Sequence, residues 1–347
     1  MKIRIGKNIF FTKNNPPIII AEISANHCGN KKKFIKHIKL AHKYGADLVK
    51  IQTYEPVDMT INSKDNKFRV KKGLWKNQYL WNLYKKAQTP FDWHYDAFKI
   101  ARKFGIEIFS TPFSIRAVDF LERLHVKLYK IASLENTDLN LVDKIAKTRK
   151  PIIVSTGASS FVDIKNCLKI INKYHNKVII LHCVSEYPTP KNEANLSRII
   201  WLKKKFKKNL IGLSDHTNTI DTALASIPLG TVAIEKHFKD SNKNKSVDAK
   251  FSITPDELLE LKRKSLIYFN STKLNQPIIN KMKETTITKR SIYSKEKIMK
   301  NEKITINNIV PLRPKIGINA NNFFKIIGKK AKRDIKINKP IFFRDLI

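Results

Sequence analysis

Two histidines lie at the ends of neighbouring apolar segments of the sequence. His216 ends LIGLSDH, and His237 lies near the end of TVAIEKHF, the next apolar segment along the chain. Each could be a hydrogen-bonded histidine of the core, or the pair could bind one metal ion, since imidazole is a common transition-metal ligand. Carboxylates such as Glu22 and Asp248 would favour a harder ion, Mn²⁺ in particular. The pattern favours the metal.

Two lysines lie inside other apolar segments. Lys50 is part of DLVKIQT and Lys130 is part of LYKIAS. A buried lysine without a partner is costly, so these two either form ion pairs with Glu22 or Glu235 or bind an anionic substrate. Hydroxyl groups near the segment ends favour phosphate or carboxylate binding, although each alone could satisfy backbone groups. They belong to Ser133, Ser155, Thr156 and Ser214.

Eight apolar, β-branched segments alternate with segments of helical spacing. Strands that are apolar throughout, separated by helices, are typical of a parallel sheet covered on both faces. Eight such units predict an α/β fold of the (β/α)₈ TIM-barrel type. A doubly wound sheet is the alternative, but no glycine-rich phosphate fingerprint follows the first strand. The predicted strands are Pro16–Ser24, Asp47–Thr53, Ile106–Phe113, Leu128–Ser133, Pro151–Gly157, Val178–Cys183, Leu210–His216 and Thr231–Phe238.

The ends of these strands are rich in polar side chains. Barrel enzymes build their sites at the carboxyl ends of the strands, so a convergent polar pocket is predicted there. The period of two places Lys50 with Gln52, and Glu235 with His237, on one side of each strand. His27 and His182 remain as further metal ligands, although His182 fits a structural role. The remaining strand-end residues are Glu22, Asn26, Ser110, Thr111, Lys130, Ser133, Ser155, Thr156, Ser185, Tyr187, Ser214, Asp215, His216 and Lys236.

The domain organisation follows from where this pattern stops. A barrel domain is predicted over residues 1–270, a linker over 271–289 and a small β-rich domain over 290–347. The connection over residues 54–96 is long and aromatic, and long ordered insertions commonly contribute to a site.

Composition excludes several classes of protein. The chain of 347 residues has 68 Lys and Arg against 29 Asp and Glu, a formal net charge of +39. The lysines are scattered over all the connections, with no zinc-finger or RNP-type pattern, so specific nucleic-acid binding is not expected. A basic binding protein on an inactive barrel is the alternative outside enzymes. Three cysteines without metal spacing indicate reduced thiols. No membrane segment or leader is apparent, so a cytoplasmic location is expected.

Taken together, the motifs resemble the sialic acid synthase family over essentially the whole chain. They are AEISANHCGN, VKIQTY, FSTPFS, YKIAS, VSTG, LHCVSEYPTP, GLSDHT and IEKHF. The resemblance implies a metal-dependent barrel enzyme that condenses phosphoenolpyruvate (PEP) with an amino sugar. The tail from RSIYSKEKI to the end resembles the family's antifreeze-like (SAF) domain.

The resemblance also implies roles for individual residues. His216 and His237 would bind a divalent metal, Mn²⁺ ahead of Mg²⁺ or Co²⁺, with Glu22 as the catalytic carboxylate beside them. Arg313 of the tail would reach the barrel of the partner subunit in a homodimer and contact an N-acyl group. Tyr187 and Asp248 would approach the sugar. The residues implied in PEP binding are Lys50, Gln52, Thr111, Lys130, Ser133, Ser155 and Ser214.

Within the family, the variants resemble the branch that makes pseudaminic acid. SANH stands in the first motif, GLW lies in the insertion, and VDAKFSI follows the last strand. Ser185 stands where sialate synthases usually have an asparagine that contacts sugar hydroxyls. The branch implies a 2,4-diacetamido-2,4,6-trideoxy-L-altrose acceptor. The precursors of N-acetylneuraminic and legionaminic acid are the alternatives.

Overall fold

A computed structural model describes residues 1–6, 9–272 and 287–347 of the chain. The chain divides into two compact units, Met1–Lys273 and Leu274–Ile347, each of which is described by itself. Of the predicted linker 271–289, residues 273–286 lie outside the described part of the chain.

The first unit contains a closed barrel of eight parallel strands. The order around the barrel follows the chain, and the last strand pairs with the first, His237 opposite Glu22. This confirms the predicted (β/α)₈ barrel and excludes the doubly wound sheet. The strands are β3 (Ile18–Glu22), β4 (Leu48–Thr53), β5 (Glu107–Pro112), β6 (Tyr129–Ile131), β7 (Ile152–Ser155), β8 (Val178–His182), β9 (Leu210–Asp215) and β10 (Ala233–His237).

Helices cover the outer face of the barrel. Helix α6 shows why these segments are helical: Asp138 caps its first turn by accepting from the backbone N–H of Leu141, and its apolar face is buried. Burial of such a stripe against the strands supplies most of the stability of each helix. The helices of this unit are α1 (Lys31–Lys43), α2 (Pro56–Met59), α3 (Leu80–Ala87), α4 (Phe91–Phe104), α5 (Ile115–Arg123), α6 (Leu139–Lys147), α7 (Phe161–Ile171), α8 (Ser197–Lys205), α9 (Asp221–Ser226) and α10 (Pro255–Thr272).

A short antiparallel pair of strands precedes the barrel, and the sequence analysis assigned no element there. Strands β1 (Lys2–Ile5) and β2 (Ile9–Thr12) pair with Lys2 opposite Thr12. Ile3, Ile5 and Phe11 are buried in the core of the unit. The alternation of KIRI is a strand signal, but a segment of four residues is too short to stand out beside the barrel strands.

The second unit has its own small apolar core. Strands β11 (Ser291–Ser294) and β12 (Ile309–Leu312) form an antiparallel pair, and helix α11 (Phe323–Ile326) follows them. The core consists mainly of isoleucines, among them Ile292, Ile298 and Ile341. Among the described residues, no helix is long and apolar enough to cross a membrane.

Candidate active site

A cavity of about 350 Å³ opens at the carboxyl ends of the barrel strands. Most of the predicted site residues line it, and the connection between β4 and α4 contributes Met59, Val70 and Trp75 to its wall. The predicted residues in the lining are Lys50, Gln52, Thr111, Lys130, Ser133, Tyr187, Ser155, Ser214, His216, His237 and Asp248. The carboxyl ends of five or more strands therefore supply one pocket, as barrel geometry requires.

Lys50, Lys130 and Glu235 line the cavity and belong to a buried cluster of two lysines and two glutamates. The fourth member, Glu22, is fully buried and is not among the described lining residues. Lys50 forms an ion pair with Glu22, its register partner on the neighbouring strand. Glu235 Oε1 lies 3.6 Å from Lys50 Nζ and 3.4 Å from Lys130 Nζ. Ser214 Oγ donates to the same oxygen over 3.0 Å. Both ion-pair partners considered for the lysines are thus present in the cluster.

Burial and mutual attraction perturb the pKa values of this cluster. Burial raises the pKa of Glu22 to about 7, partly opposed by Lys50. Burial also lowers the pKa of Lys130. Burial acts against ionisation of Glu235, but Lys130 and Lys50 outweigh it and lower its pKa. Glu22 is therefore the carboxyl group of the cluster that can exchange a proton near neutral pH.

His216 and His237 lie side by side at the rim, with ring centroids 5.6 Å apart. His216 Nδ1 donates to the carbonyl oxygen of Val184 over 2.7 Å, which leaves Nε2 with its lone pair. His237 Nδ1 is buried and has no hydrogen-bond partner in the described part of the chain. Burial lowers the pKa of both, for His216 to about 4, so both imidazoles are neutral at pH 7.

These two side chains fit a metal site that is completed by ligands from outside the protein. Two neutral imidazoles with available nitrogens are suitable donors, and Asp248 Oδ2 lies 3.8 Å from His237 Nδ1. Within residues 1–6, 9–272 and 287–347, no cluster of three His, Cys, Asp or Glu side chains is arranged to hold an ion alone. Positions on an ion bound here would remain open to substrate.

An aromatic wall covers the histidines. The Tyr187 ring lies 4.3 Å from His216, and Phe251 lies 4.7 Å from His237. Trp75 lies 5.6 Å from Tyr187 and is held by a 3.0 Å hydrogen bond from its indole nitrogen to the carbonyl oxygen of Val247. The wall makes one side of the cavity beside the histidines apolar.

Several strand-end residues that were predicted to converge on the pocket instead make structural contacts. Lys236 is fully buried, and its Nζ lies 2.9 Å from Asp215 Oδ2 and 2.5 Å from the carbonyl oxygen of Thr217. Asp215 Oδ1 accepts from the backbone N–H of Thr217. Because side chains alternate along a strand, residues next to an inward-facing side chain face the helices. This alternation corrects the predicted inclusion of Lys236 and Asp215 in the pocket.

Five other residues from that prediction also have structural partners. His27 Nε2 lies 3.2 Å from Thr89 Oγ1, and His182 Nε2 lies 2.8 Å from the carbonyl oxygen of Ala194, so neither faces the histidine pair. The remaining contacts join Asn26 to Ser252, Ser110 to Thr53, and Thr156 to the carbonyl oxygen of Leu181.

Part of the lining was not predicted from the sequence. Glu235, which was predicted to share one side of its strand with His237 but was given no role beyond an ion pair, lines the cavity. Glu135, Tyr54 and Tyr84 were not recognised at all, and all three line the cavity. Glu135 follows β6 in a short 3₁₀ turn, Glu135–Thr137. A carboxylate two residues beyond Ser133 was a usable signal, because loops after barrel strands carry site residues.

The fold and the site are those of a barrel enzyme, with two adjacent histidines beside a buried lysine–glutamate cluster. Residues 37–273, more than half of the chain, match the NeuB family model, and the chain belongs to the NeuB family. The chain is 38% identical over 335 residues to a pseudaminic acid synthase of Campylobacter jejuni, covering 95% of this chain and 97% of that protein.

Two further proteins are similar to this chain over most of its length. An N,N'-diacetyllegionaminic acid synthase of Campylobacter jejuni is 33% identical over 330 residues, with 93% of this chain and 98% of that protein covered. The crystal structure of an N-acetylneuraminic acid synthetase from Leptospira borgpetersenii in complex with citrate has a TM-score of 0.73 and 28% identity. It covers 81% of this chain and 94% of that one.

Proposed function

We propose that this protein is a pseudaminic acid synthase. It would condense PEP with 2,4-diacetamido-2,4,6-trideoxy-β-L-altropyranose and water to give pseudaminic acid and phosphate. The observation that carries the proposal is the buried cluster of Glu22, Lys50, Lys130 and Glu235 beside two neutral histidines in one cavity. The identity to the Campylobacter jejuni pseudaminic acid synthase supports this acceptor ahead of the legionaminic precursor.

PEP binding is assigned to the lysines and to the hydroxyl groups around them. Lys50 and Lys130 are nearly fully buried, so a phosphate or carboxylate beside them is poorly screened by water. Ser155 Oγ has no hydrogen-bond partner within the described ranges and is available to an anion. Ser133, Ser214, Gln52 and Thr111 line the same cavity and are assigned to PEP with them.

A divalent metal ion is assigned to His216 and His237, with Mn²⁺ preferred over Mg²⁺ and Co²⁺. When bound, such an ion would polarise the aldehyde of the open-chain sugar and orient it toward PEP. The neutral state of both imidazoles keeps their nitrogen lone pairs available at pH 7.

The reaction forms one carbon–carbon bond and replaces the C2–O bond to phosphate with a C2–O bond to an oxygen from water. C3 of PEP attacks the aldehyde carbon, and the aldehyde oxygen takes up a proton. Water then adds at C2, and the C2–O bond to phosphate breaks, which releases inorganic phosphate. Lys50 and Lys130 stabilise the negative charge of the phosphate and carboxylate throughout. Glu22 is assigned to orient the water and accept its proton, consistent with a pKa of about 7.

The acceptor assignment rests on the apolar side of the cavity. Trp75, Tyr187 and Phe251 present aromatic surface where a 6-deoxy sugar would present a methyl group rather than a hydroxyl. Ser185 Oγ is engaged with Ser133 Oγ over 2.8 Å and replaces the asparagine of sialate synthases. Asp248 is assigned to the sugar from the polar side, near His237.

An acceptor panel tests the proposal. Phosphate release from PEP is measured with the diacetamido altrose, the legionaminic precursor and N-acetylmannosamine, each with Mn²⁺. The diacetamido altrose should give the highest kcat/KM. A higher kcat/KM with either of the other sugars would assign the protein to the corresponding synthase instead. If no sugar led to phosphate release, the proposed function would be wrong.

The second unit is proposed to be an SAF domain over residues 290–347, joined to a barrel domain over 1–270. A homodimer in which Arg313 reaches the partner subunit's barrel is part of the proposal. Arg313 follows β12 and its side chain is exposed. Arg313→Ala should raise the KM of the acceptor while the KM of PEP stays near the wild-type value. Unchanged acceptor kinetics would remove the tail from the site.

A further inference from the structure

The cavity contains a carboxyl group that the proposed reaction does not use. Glu135 lines the cavity just beyond Ser133, at the start of the 3₁₀ turn that follows β6. Its Oε2 atom is buried and has no hydrogen-bond partner within the described residues. A buried acceptor left without a partner is costly, and in a cavity its natural partner is a ligand.

Part of the cavity that Glu135 lines is apolar. Leu80, Leu83 and Phe113 line the same cavity, and the Tyr54 ring lies 5.2 Å from that of Phe113. Tyr54 also lies 6.0 Å from Tyr84, in an edge-on arrangement. The cavity therefore combines the Glu135 carboxyl group with hydrocarbon and aromatic surface.

The charges of the cavity affect the Glu135 carboxyl group. Burial raises its pKa to about 7, and its own backbone N–H and the charge of Lys130 partly oppose the shift. Burial raises the pKa of the Tyr84 phenol as well, and the charge of Glu135 adds to that shift.

We propose that Glu135 is a specificity-determining residue that accepts a hydrogen bond from the N–H of one acylamino group of the acceptor sugar. An acylamino group has a single N–H donor beside an apolar methyl group. The donor matches Oε2, and the methyl group matches the leucine and aromatic surface of the same cavity. A hydroxyl in that position would leave the apolar wall without an apolar partner. The inference rests on the proposed function and adds a residue that would recognise the second acylamino group of the acceptor sugar.

Two variants and three acceptors test this role. Glu135→Leu removes the acceptor oxygen and keeps the volume, while Glu135→Gln keeps a carbonyl oxygen and serves as the matched control. The acceptors are the diacetamido altrose and its two analogues in which either acetamido group is replaced by a hydroxyl. Glu135→Leu removes a buried oxygen that has no protein partner among the described residues, so its unfolding midpoint should not fall. Glu135→Ala gives the same comparison should the leucine variant not fold.

The expected result is a change in selectivity. Glu135→Leu should raise the KM for the diacetamido sugar about ten- to a hundredfold and abolish the preference over one of the two analogues. The KM for PEP should stay within about twofold, and Glu135→Gln should retain most of the preference. Unchanged preferences in Glu135→Leu, or an equal loss with every acceptor and with PEP, would overturn the inference. Absence of turnover of the diacetamido sugar by the unmodified enzyme would instead overturn the proposed function.

Discussion

The inward and outward faces of strands β9 and β10 differ in how completely their polar atoms are bonded. On the inward face, Glu235 Oε2 and His237 Nδ1 are buried without hydrogen-bond partners in the described chain. On the outward face, Lys236 is bonded to Asp215 and to two oxygens of Thr217. Glu235, Lys236 and His237 are consecutive residues of β10. They therefore differ in the face of the strand from which each side chain projects.

This difference separates residues that serve folding from residues that serve a ligand. A buried polar group that is fully bonded stabilises one conformation, and its partners are present before any ligand arrives. A buried polar group with an unmet bond lowers stability until a ligand supplies the partner. The outward face should therefore respond to mutation in stability, and the inward face in activity.

The largest effect is expected at the inward histidine. His237→Ala should lower kcat/KM by about a thousandfold or more, because a ligand of the proposed metal is lost. Its unfolding midpoint should change little, because Nδ1 has no hydrogen-bond partner in the described residues. His94→Ala is the matched control: its ring is bonded to Thr53 and Pro90, so stability should fall. Full activity of His237→Ala, or of the wild-type enzyme after treatment with a chelator, would contradict the assignment of a metal ion to His216 and His237.

The next effect concerns the outward lysine. Lys236→Met should lower the free energy of unfolding by about 3–5 kcal/mol, because Asp215 is left charged and buried. Urea denaturation measures it. Lys262→Met is the control, because Lys262 pairs with Asp47 at the half-exposed surface and should contribute about 1 kcal/mol or less. Equal losses in the two variants would contradict a special role for the buried pair.

A third prediction concerns the inward lysine that has no register partner in the cluster. Lys130→Met should weaken the binding of PEP by about 1.5–3 kcal/mol, because a charged contact is lost. This corresponds to a rise of about ten- to a hundredfold in the Kd and KM for PEP. Lys144→Met, which affects an exposed pair with Asp119, should leave the KM unchanged. Titration calorimetry with PEP checks both variants. Unaltered PEP binding by Lys130→Met would move the anion site away from the cluster.

The smallest effect is expected from pH. Burial raises the pKa of Glu22 to about 7, so the carboxylate required as a base predominates above pH 7 and is lost as pH falls below it. The rate should then fall about tenfold for each pH unit on the acid side. A pH–rate profile between 5.5 and 8.5 measures this limb. A flat profile would exclude Glu22 as the base.

The same alternation explains how far the sequence predicted the structure. All eight barrel strands were predicted, because each is an apolar segment bounded by helical spacing. The polar strand ends were also found, but the face from which each side chain projects was not, and Asp215 and Lys236 were therefore included wrongly. His27 was included wrongly for a different reason, because it lies beyond β3 in the short 3₁₀ helix Ser24–His27, where its ring contacts Thr89. Direction depends on the exact strand register, and the pairing of Glu235 with Ser214 becomes visible only in the folded barrel. Glu135 lies in a loop, where periodicity gives no signal.

The lysine–glutamate cluster and the histidine pair are proposed to support condensation of PEP with an acylamino sugar, with cleavage of the C2–O bond of PEP. PEP labelled with ¹⁸O in the bridging position tests it most directly, with the diacetamido altrose and Mn²⁺ present. The label should appear in the released phosphate, and the sugar product should gain the mass of the three-carbon unit. Label retained in the sugar acid, or phosphate released without a condensed product, would contradict the account.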